Sequence, residues 1–364
     1  MGLAERSLPK INPENIGGGD NSGGLSFCPL EEGVERAQPR FGGKTLFVSD
    51  ISTMKCFAPF ARGLRAISVF YDGDALPLFT MPDGVGSVFA AGGEETLKAA
   101  RFFAEVRRVP CVLFPTQADL RGVLGREGEI VLFGEKRCVA LAEGEVCVDL
   151  SLVKPTLAEG FASLLLARLA LIEEHALRVF TCAEKPALYE QVFALTQPYS
   201  ALDGSETVLR NYALRYLEEQ GAPAGEGETL VRLHKAAGES YPVWRSYLEL
   251  AALYGAFFEC GRPRRHFVPD YCARAERAGT KYCDAEVPSP NEYAWRTEIL
   301  EHMRGSFFTE LQALEARKRE FGDLFRTLTG KEPPALNLET LRVLPEHAPH
   351  GLSSYIRDFG LMEF

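Results

Sequence analysis

Apolar residues are spaced in two different ways along this chain, and the change falls near residue 155. Between Lys44 and Asp149 they cluster in short runs with the length and β-branched character of buried strands: Lys44–Ser49, Ala66–Tyr71, Ser87–Ala91, Pro110–Phe114 and Val146–Asp149. A helical pattern over Glu94–Val106 separates the third run from the fourth, and a short helix is predicted near Thr53–Leu64. This β-α-β-α-β alternation predicts a parallel, doubly wound sheet, because parallel neighbours must be joined by a crossover. Glu129–Phe133 and Lys136–Leu141 flank Gly134-Glu135 and predict a tight hairpin.

Beyond Thr156 the period becomes helical. Thr156–His175 reads as a long apolar helix with Glu173, Glu174 and His175 on its C-terminal face, and further helices are predicted over Ala187–Leu195, Glu206–Gln220, Thr229–Ala236, Val243–Phe258 and Tyr293–Gly322. The expected organisation has three parts. Residues 1–40, rich in Gly, Pro and Asn, form an irregular leader; residues 41–154 form a Rossmann-like domain of nucleotide-binding type; residues 155–364 form an α-helical domain. The fold class is therefore α/β followed by all-α.

Composition narrows the function. A hydrophobic share of 46% and a charged share of 25% are those of an ordinary globular protein. The net charge of −10 argues against a nucleic-acid or anionic-membrane surface. The first residues lack the apolar core of a signal peptide, and the apolar run Phe161–Ile172 is interrupted by Arg168 and too short to span a bilayer, so a cytoplasmic location is expected. The nine cysteines are odd in number and form no C-x-x-C pair, which predicts reduced core thiols rather than a disulfide framework.

Candidate chemistry begins at Gly92-Gly93, which follows a strand and opens a helix. Bare N–H groups at a helix N-terminus favour anions, but Glu94 and Glu95 come next and repel a pyrophosphate. The glycine-rich run Gly17–Gly24 lacks that strand-to-helix context and is read as flexible leader. In Pro115-Thr116-Gln117-Ala118-Asp119-Leu120-Arg121-Gly122, Thr116 either donates to a phosphate or caps the turn. Arg262, Arg264, Arg265 and His266 form a basic cluster suited to phosphate or carboxylate, or else a solvated loop paired with Glu259 and Asp270. Cys260, His266, Cys272 and Cys283 match no standard zinc spacing.

In this order the segments resemble the glycerol-1-phosphate dehydrogenase branch of the iron-containing alcohol dehydrogenase and dehydroquinate synthase superfamily. The resemblance runs from about Thr45 to Phe325, with a tail match at Ser354–Asp358. It implies a Rossmann-like domain, a helical domain and a ligand cleft between them. It also implies NAD or NADP cradled at Gly92 and Gly93 with Pro115 and Thr116 beside it. The family's loop aspartate falls on Leu97, and that of its Pro-Thr segment falls on Arg121. Its first metal ligand, an aspartate, falls on Ser163 within Ala158–Leu165. Its histidine ligands fall near Pro269 and Ala273; His266 is off register, and His302 stands in for the last ligand only with an insertion.

Zinc or iron is therefore not expected. The resemblance implies a divergent, metal-free homologue without metal-dependent dehydrogenase activity. A phosphorylated small molecule would be held by Arg121, Arg262, Arg264, Arg265 and His266. One alternative is an active NAD(P)-dependent oxidoreductase of a polyol phosphate with relocated ligands at His266 and His302. Another is a non-catalytic interaction scaffold. Neither a nucleic acid nor a membrane is an expected partner, and homo-oligomerisation is left open.

Overall fold

A computed structural model describes residues 24–61, 65–180, 188–197, 203–259, 290–348 and 351–358. The chain forms two compact units, Met1–Gly160 with Asp203–Glu219, and Phe161–Leu202 with Gln220–Phe364. The division thus falls at Gly160 rather than 154, and one helix from the later half belongs with the first unit.

That unit holds β1 (Leu25–Phe27), α1 (Leu30–Ala37), β2 (Lys44–Ser49), β3 (Ala66–Phe70), α2 (Leu76–Phe79), β4 (Val85–Gly92), α3 (Glu94–Arg107), β5 (Cys111–Pro115), β6 (Glu127–Leu132), β7 (Glu135–Ala140), β8 (Glu145–Val148) and α4 (Leu150–Val153). The first four residues of α5 (Leu157–Phe180) also belong to it. Following α6 (Tyr189–Leu195), α7 (Gly204–Glu219) returns to it. The strands form a six-stranded sheet in the order β1-β8-β5-β4-β2-β3, every neighbouring pair parallel.

Strand alternation sends Leu46, Val48, Val88, Ala90, Leu113 and Val146 into one core cluster, with Leu97, Ala100 and Phe103 of α3 and Val208 of α7. It sends Phe47, Phe89, Ala91, Val112, Phe114 and Cys147 into a second cluster, with Leu30, Val34 and Ala37 of α1. Burial of both faces explains why these strands read as continuous apolar runs. β6 and β7 pair antiparallel around Phe133-Gly134, whose φ values of 58° and 73° suit a two-residue hairpin turn.

One irregularity is diagnostic. The β2–β4 register shifts at Lys44/Thr45, so that Val85 and Ser87 find partners and Gly86 is passed over. A Cβ on Gly86 would lie 1.8 Å from the Gly42 carbonyl oxygen. Gly86→Ala is therefore expected to cost about 1–3 kcal/mol through overpacking, read as a lower denaturant midpoint at unchanged slope.

Three expectations are corrected. Residues 24–40 are not irregular: β1 is an edge strand paired with β8, and α1 covers one face of the sheet. Residues 51–60 form successive turns instead of a helix. The long helix predicted over 293–322 is interrupted at Ala316-Arg317. Residues 1–23, with most of the glycine-rich run, lie outside the described residues.

The second unit contains the rest of α5, α6, α8 (Gly227–Ala236), α9 (Pro242–Glu259), α10 (Pro290–Glu315), α11 (Lys318–Thr329), α12 (Leu338–His347) and α13 (Leu352–Asp358). Aromatic contacts organise its core: the Trp244 ring lies 6.1 Å from Phe161 and 4.8 Å from Phe325, and Phe161 lies 5.5 Å from Phe321. The helical stretch Leu150–Arg178 is long and apolar enough to cross a membrane, but 78% of its apolar window is buried, as in a core helix. Within it Glu173 is 4% exposed and so belongs to the interior.

Candidate functional site

In open α/β sheets ligands bind outside the carboxyl ends of the strands. Here β4 and β5 end side by side, with Gly92 opposite Pro115, and the Thr116 N–H donates to the Gly92 carbonyl at 3.0 Å. Gly93 is the N-cap of α3. Gly92, Gly93, Pro115 and Thr116 thus converge at the carboxyl end of the two strands. The Thr116 hydroxyl makes no hydrogen bond among the described residues, whereas its carbonyl accepts from Thr156 Oγ1 at 3.1 Å.

The group that dominates this end is one that sequence reasoning missed. Asp50 follows β2 directly and opens the turns beyond it, and its Oδ2 accepts from the Gly93 N–H at 2.9 Å and from Thr96 Oγ1 at 3.3 Å. Its Oδ1 accepts from the Ser52 N–H at 2.9 Å, Ser52 Oγ at 2.6 Å, the Thr53 N–H at 3.2 Å and Thr53 Oγ1 at 3.1 Å. Gly92 has φ 157°, and a Cβ there would meet Asp50 Oδ2 at 2.4 Å, so only glycine permits this approach. Burial works to raise the Asp50 pKa, but donation from Ser52, Gly93 and Thr53 outweighs it and holds the carboxyl below its ordinary range. The next amide of α3 is engaged too, since the Glu94 N–H donates to Gln117 Oε1 at 3.3 Å.

Surrounding charge has the same sign. Glu94 Oε1 pairs with Lys98 Nζ at 2.6 Å along its own helix, so that charge is partly met. The Tyr71 phenol is nevertheless pushed up to about 12, first by burial and then by Glu95, Asp74 and Asp72. The Cys56 thiol is raised by burial and by Glu31, Asp149 and Asp50. Asp149 caps α4, accepting from the Ser151 N–H at 2.8 Å, and accepts from the Leu30 N–H at 2.9 Å.

A dinucleotide does not fit these residues as they stand. The Gly93 N–H that would receive the pyrophosphate is held by Asp50, whose remaining lone pairs are also engaged. A carboxylate and a phosphate oxygen about 4 Å apart repel by about 4 kcal/mol at an effective dielectric near 20, against roughly 0.3–1 kcal/mol of attraction from a helix terminus. Repulsion wins.

Arg121 does not present a free guanidinium to a phosphate: it is 7% exposed, with Nε 2.7 Å from Asp119 Oδ2. Ser163 is buried on α5, and its neutral hydroxyl lacks the anionic oxygen that zinc or iron takes from aspartate. His302 is exposed on α10. Arg262, Arg264, Arg265 and His266, like Cys260, Cys272 and Cys283, lie outside the described residues. Among the described residues no group of three His, Cys, Asp or Glu side chains could hold a metal.

Arg101, also missed, fixes the loop beyond Thr116. Buried on α3, it donates from Nε to the Ala142 carbonyl at 2.7 Å and from Nη1 to Gly122 and Leu124 at 2.8 Å each, while Nη2 donates to Gly125. Gly122 has φ 80°, and a Cβ there would lie 2.8 Å from the Glu94 carbonyl oxygen.

No protein-family model matches the sequence, and no curated protein does. Solved structures do match. A probable glycerol dehydrogenase from Sinorhizobium meliloti is 11% identical, covers 79% of this chain and 98% of its own, and superposes with a TM-score of 0.50. A glycerol dehydrogenase from Schizosaccharomyces pombe is 12% identical over 86% of this chain and 94% of its own, with a TM-score of 0.47. An iron-containing alcohol dehydrogenase from Corynebacterium glutamicum is 12% identical over 90% and 94%, with a TM-score of 0.45. Identity this low carries architecture alone. The chain has the dehydroquinate synthase-like fold, a Rossmann-like parallel sheet followed by a helical domain.

Proposed function

We propose that this chain is a divergent glycerol-1-phosphate dehydrogenase-like protein that retains the fold of a dehydrogenase without its dinucleotide-dependent, metal-assisted hydride transfer. The observation that carries this reading is the Asp50 carboxylate seated on the Gly93 N–H, where a pyrophosphate would bind. Ser163 supports it independently, because a hydroxyl in the place of the metal-ligating aspartate leaves a divalent ion short of an anionic donor. The remaining ligand role is toward a small phosphorylated molecule. Its support is the density of positive charge at Arg262, Arg264, Arg265 and His266 in a chain of net charge −10.

Thermal unfolding of the full chain with NAD, NADP, zinc or glycerol phosphate tests the reading. A ligand at about a hundred times its Kd stabilises a folded protein by about 2.7 kcal/mol, which is easily seen. The expected result is an unchanged midpoint with either dinucleotide and with zinc, and a raised midpoint with glycerol phosphate. A clear rise with NAD or NADP would overturn the loss of the cofactor, and a rise with zinc alone would overturn the loss of the metal. An unmoved midpoint with glycerol phosphate would remove the phosphorylated ligand.

A further inference from the structure

Helices α5, α8, α9 and α13 of the second unit meet at two buried carboxylates. Glu173 is 4% exposed and Glu226 is 4% exposed. Glu226 Oε1 accepts from Tyr254 Oη at 2.7 Å and from the Ser353 N–H at 3.0 Å, and its Oε2 accepts from Ser353 Oγ at 2.5 Å. Glu173 Oε2 accepts from the Glu226 N–H at 2.9 Å and stands 3.1 Å from Tyr254 Oη. Two glycines permit this closeness. A Cβ on Gly351 would lie 2.3 Å from Glu226 Oε2, and one on Gly225, at φ 65°, would lie 2.8 Å from Glu173 Oε2.

The protons do not balance if both carboxyls are ionised. Tyr254 has a single hydroxyl hydrogen and two carboxylate oxygens within reach. The shorter contact, and the donors from Ser353, place that hydrogen and the negative charge at Glu226. The Glu173–Tyr254 contact then needs a proton on Glu173.

We infer that Glu173 is a neutral carboxylic acid in the native protein, donating to Tyr254, which donates to the Glu226 carboxylate, and that this proton governs the seating of α13 through Ser353. Loss of the proton to solvent base would leave two carboxylates competing for one tyrosine hydrogen, and the Tyr254–Glu226–Ser353 chain would loosen. The groups facing the pair are Tyr254 from α9, Ser353 from α13 and Glu174 from α5 itself; no cation among the described residues meets either carboxylate. Burial first, and then the Glu226 charge, hold the Glu173 pKa well above the ordinary 4.5. Burial raises Glu226 to about 6 against donation from Ser353 and Tyr254. Both folded-state values are raised, so the stability linked to them is present below about 4.5 and is lost as pH climbs through about 6 and then through the Glu173 titration.

Infrared difference spectra and amide hydrogen exchange on the full chain test the inference. The protonated-carboxyl stretch is expected near neutral pH and is expected to vanish in Glu173→Gln but not in Glu174→Gln. Protection of the Leu352–Asp358 amides, corrected for intrinsic exchange, is expected to fall by up to about tenfold per pH unit above the Glu173 titration, and Glu173→Gln should abolish that slope. A wild type without a protonated carboxyl at neutral pH would overturn the inference. So would α13 protection that stays flat into the alkaline range while the remainder of the unit is folded. Should Glu173→Gln fail to fold, these wild-type measurements decide alone.

Discussion

Arg101→Met is expected to remove a large share of the protein's stability. The guanidinium is 1% exposed and is the donor to the Gly122, Leu124, Gly125 and Ala142 carbonyls. Methionine fills much of the same volume, so the change removes donors rather than opening a cavity. Hydrogen bonds to a charged group are worth about 1.5–3 kcal/mol each, and buried carbonyls left unpaired add their own desolvation cost. Partial relaxation of the loop limits the sum, and a net loss of about 4 kcal/mol is expected, against a total stability of about 5–15 kcal/mol for a typical domain. Chemical denaturation followed by circular dichroism measures it. A loss under about 1 kcal/mol would mean that water reaches these carbonyls and that Arg101 does not hold the loop.

Asp50→Ala is expected to cost about 3 kcal/mol and to change the acid limb of stability. The carboxylate joins the turn after β2 to the first turn of α3, so its removal strands the Gly93, Ser52 and Thr53 amides together. Loss of a capping carboxylate costs roughly 0.5–2 kcal/mol by itself, and the further charged hydrogen bonds supply the rest. Because the folded-state pKa of Asp50 is lowered, its contribution is present above the ordinary value of 3.8 and is lost as pH falls through the folded value. The variant should show a shallower loss of stability on acidification. The limb should not disappear, since Asp149 is lowered in the same way: burial opposes the shift, while Ser151 and the Leu30 amide produce it. Asp50→Asn, which keeps an acceptor but not the charge, should fall between the two. Equal stability of wild type and Asp50→Ala would show that Asp50 does not cap α3.

Much of the architecture is legible because buried parallel strands announce themselves: five of the six residues of Lys44–Ser49 are buried. Local periodicity is silent where structure depends on distant pairing. β1 has three residues and owes its existence to Val146–Val148, far along the chain. The helix expected after β2 fails for a local reason. Asp50, Ser52 and Thr53 give the backbone side-chain partners, and those bonds favour turns over helix. In retrospect Ser49-Asp50-Ile51-Ser52-Thr53 carries that signal.

The candidate site was harder to read than the fold. Gly92 and Thr116 could be placed by their strands, but nothing in the sequence says that a carboxylate from the turns after β2 closes on Gly93. Glu173 could be placed only on the C-terminal face of its helix, and only the tertiary placement of Glu226 and Tyr254 reveals it as interior. Arg101 was invisible for the same reason, since an arginine among helix residues carries no mark of the carbonyls it will meet.

The return of α7 to the first unit has a consequence for how the protein is made. Val208 joins the sheet core, and Asn211 Nδ2 donates to the Gly160 carbonyl at 2.8 Å. A ribosome that has released every strand has still not released the helix that completes their packing. The packing on that face, begun by α3, is complete only once synthesis has passed Glu219. The chain therefore cannot be divided at Gly160 into two self-sufficient pieces.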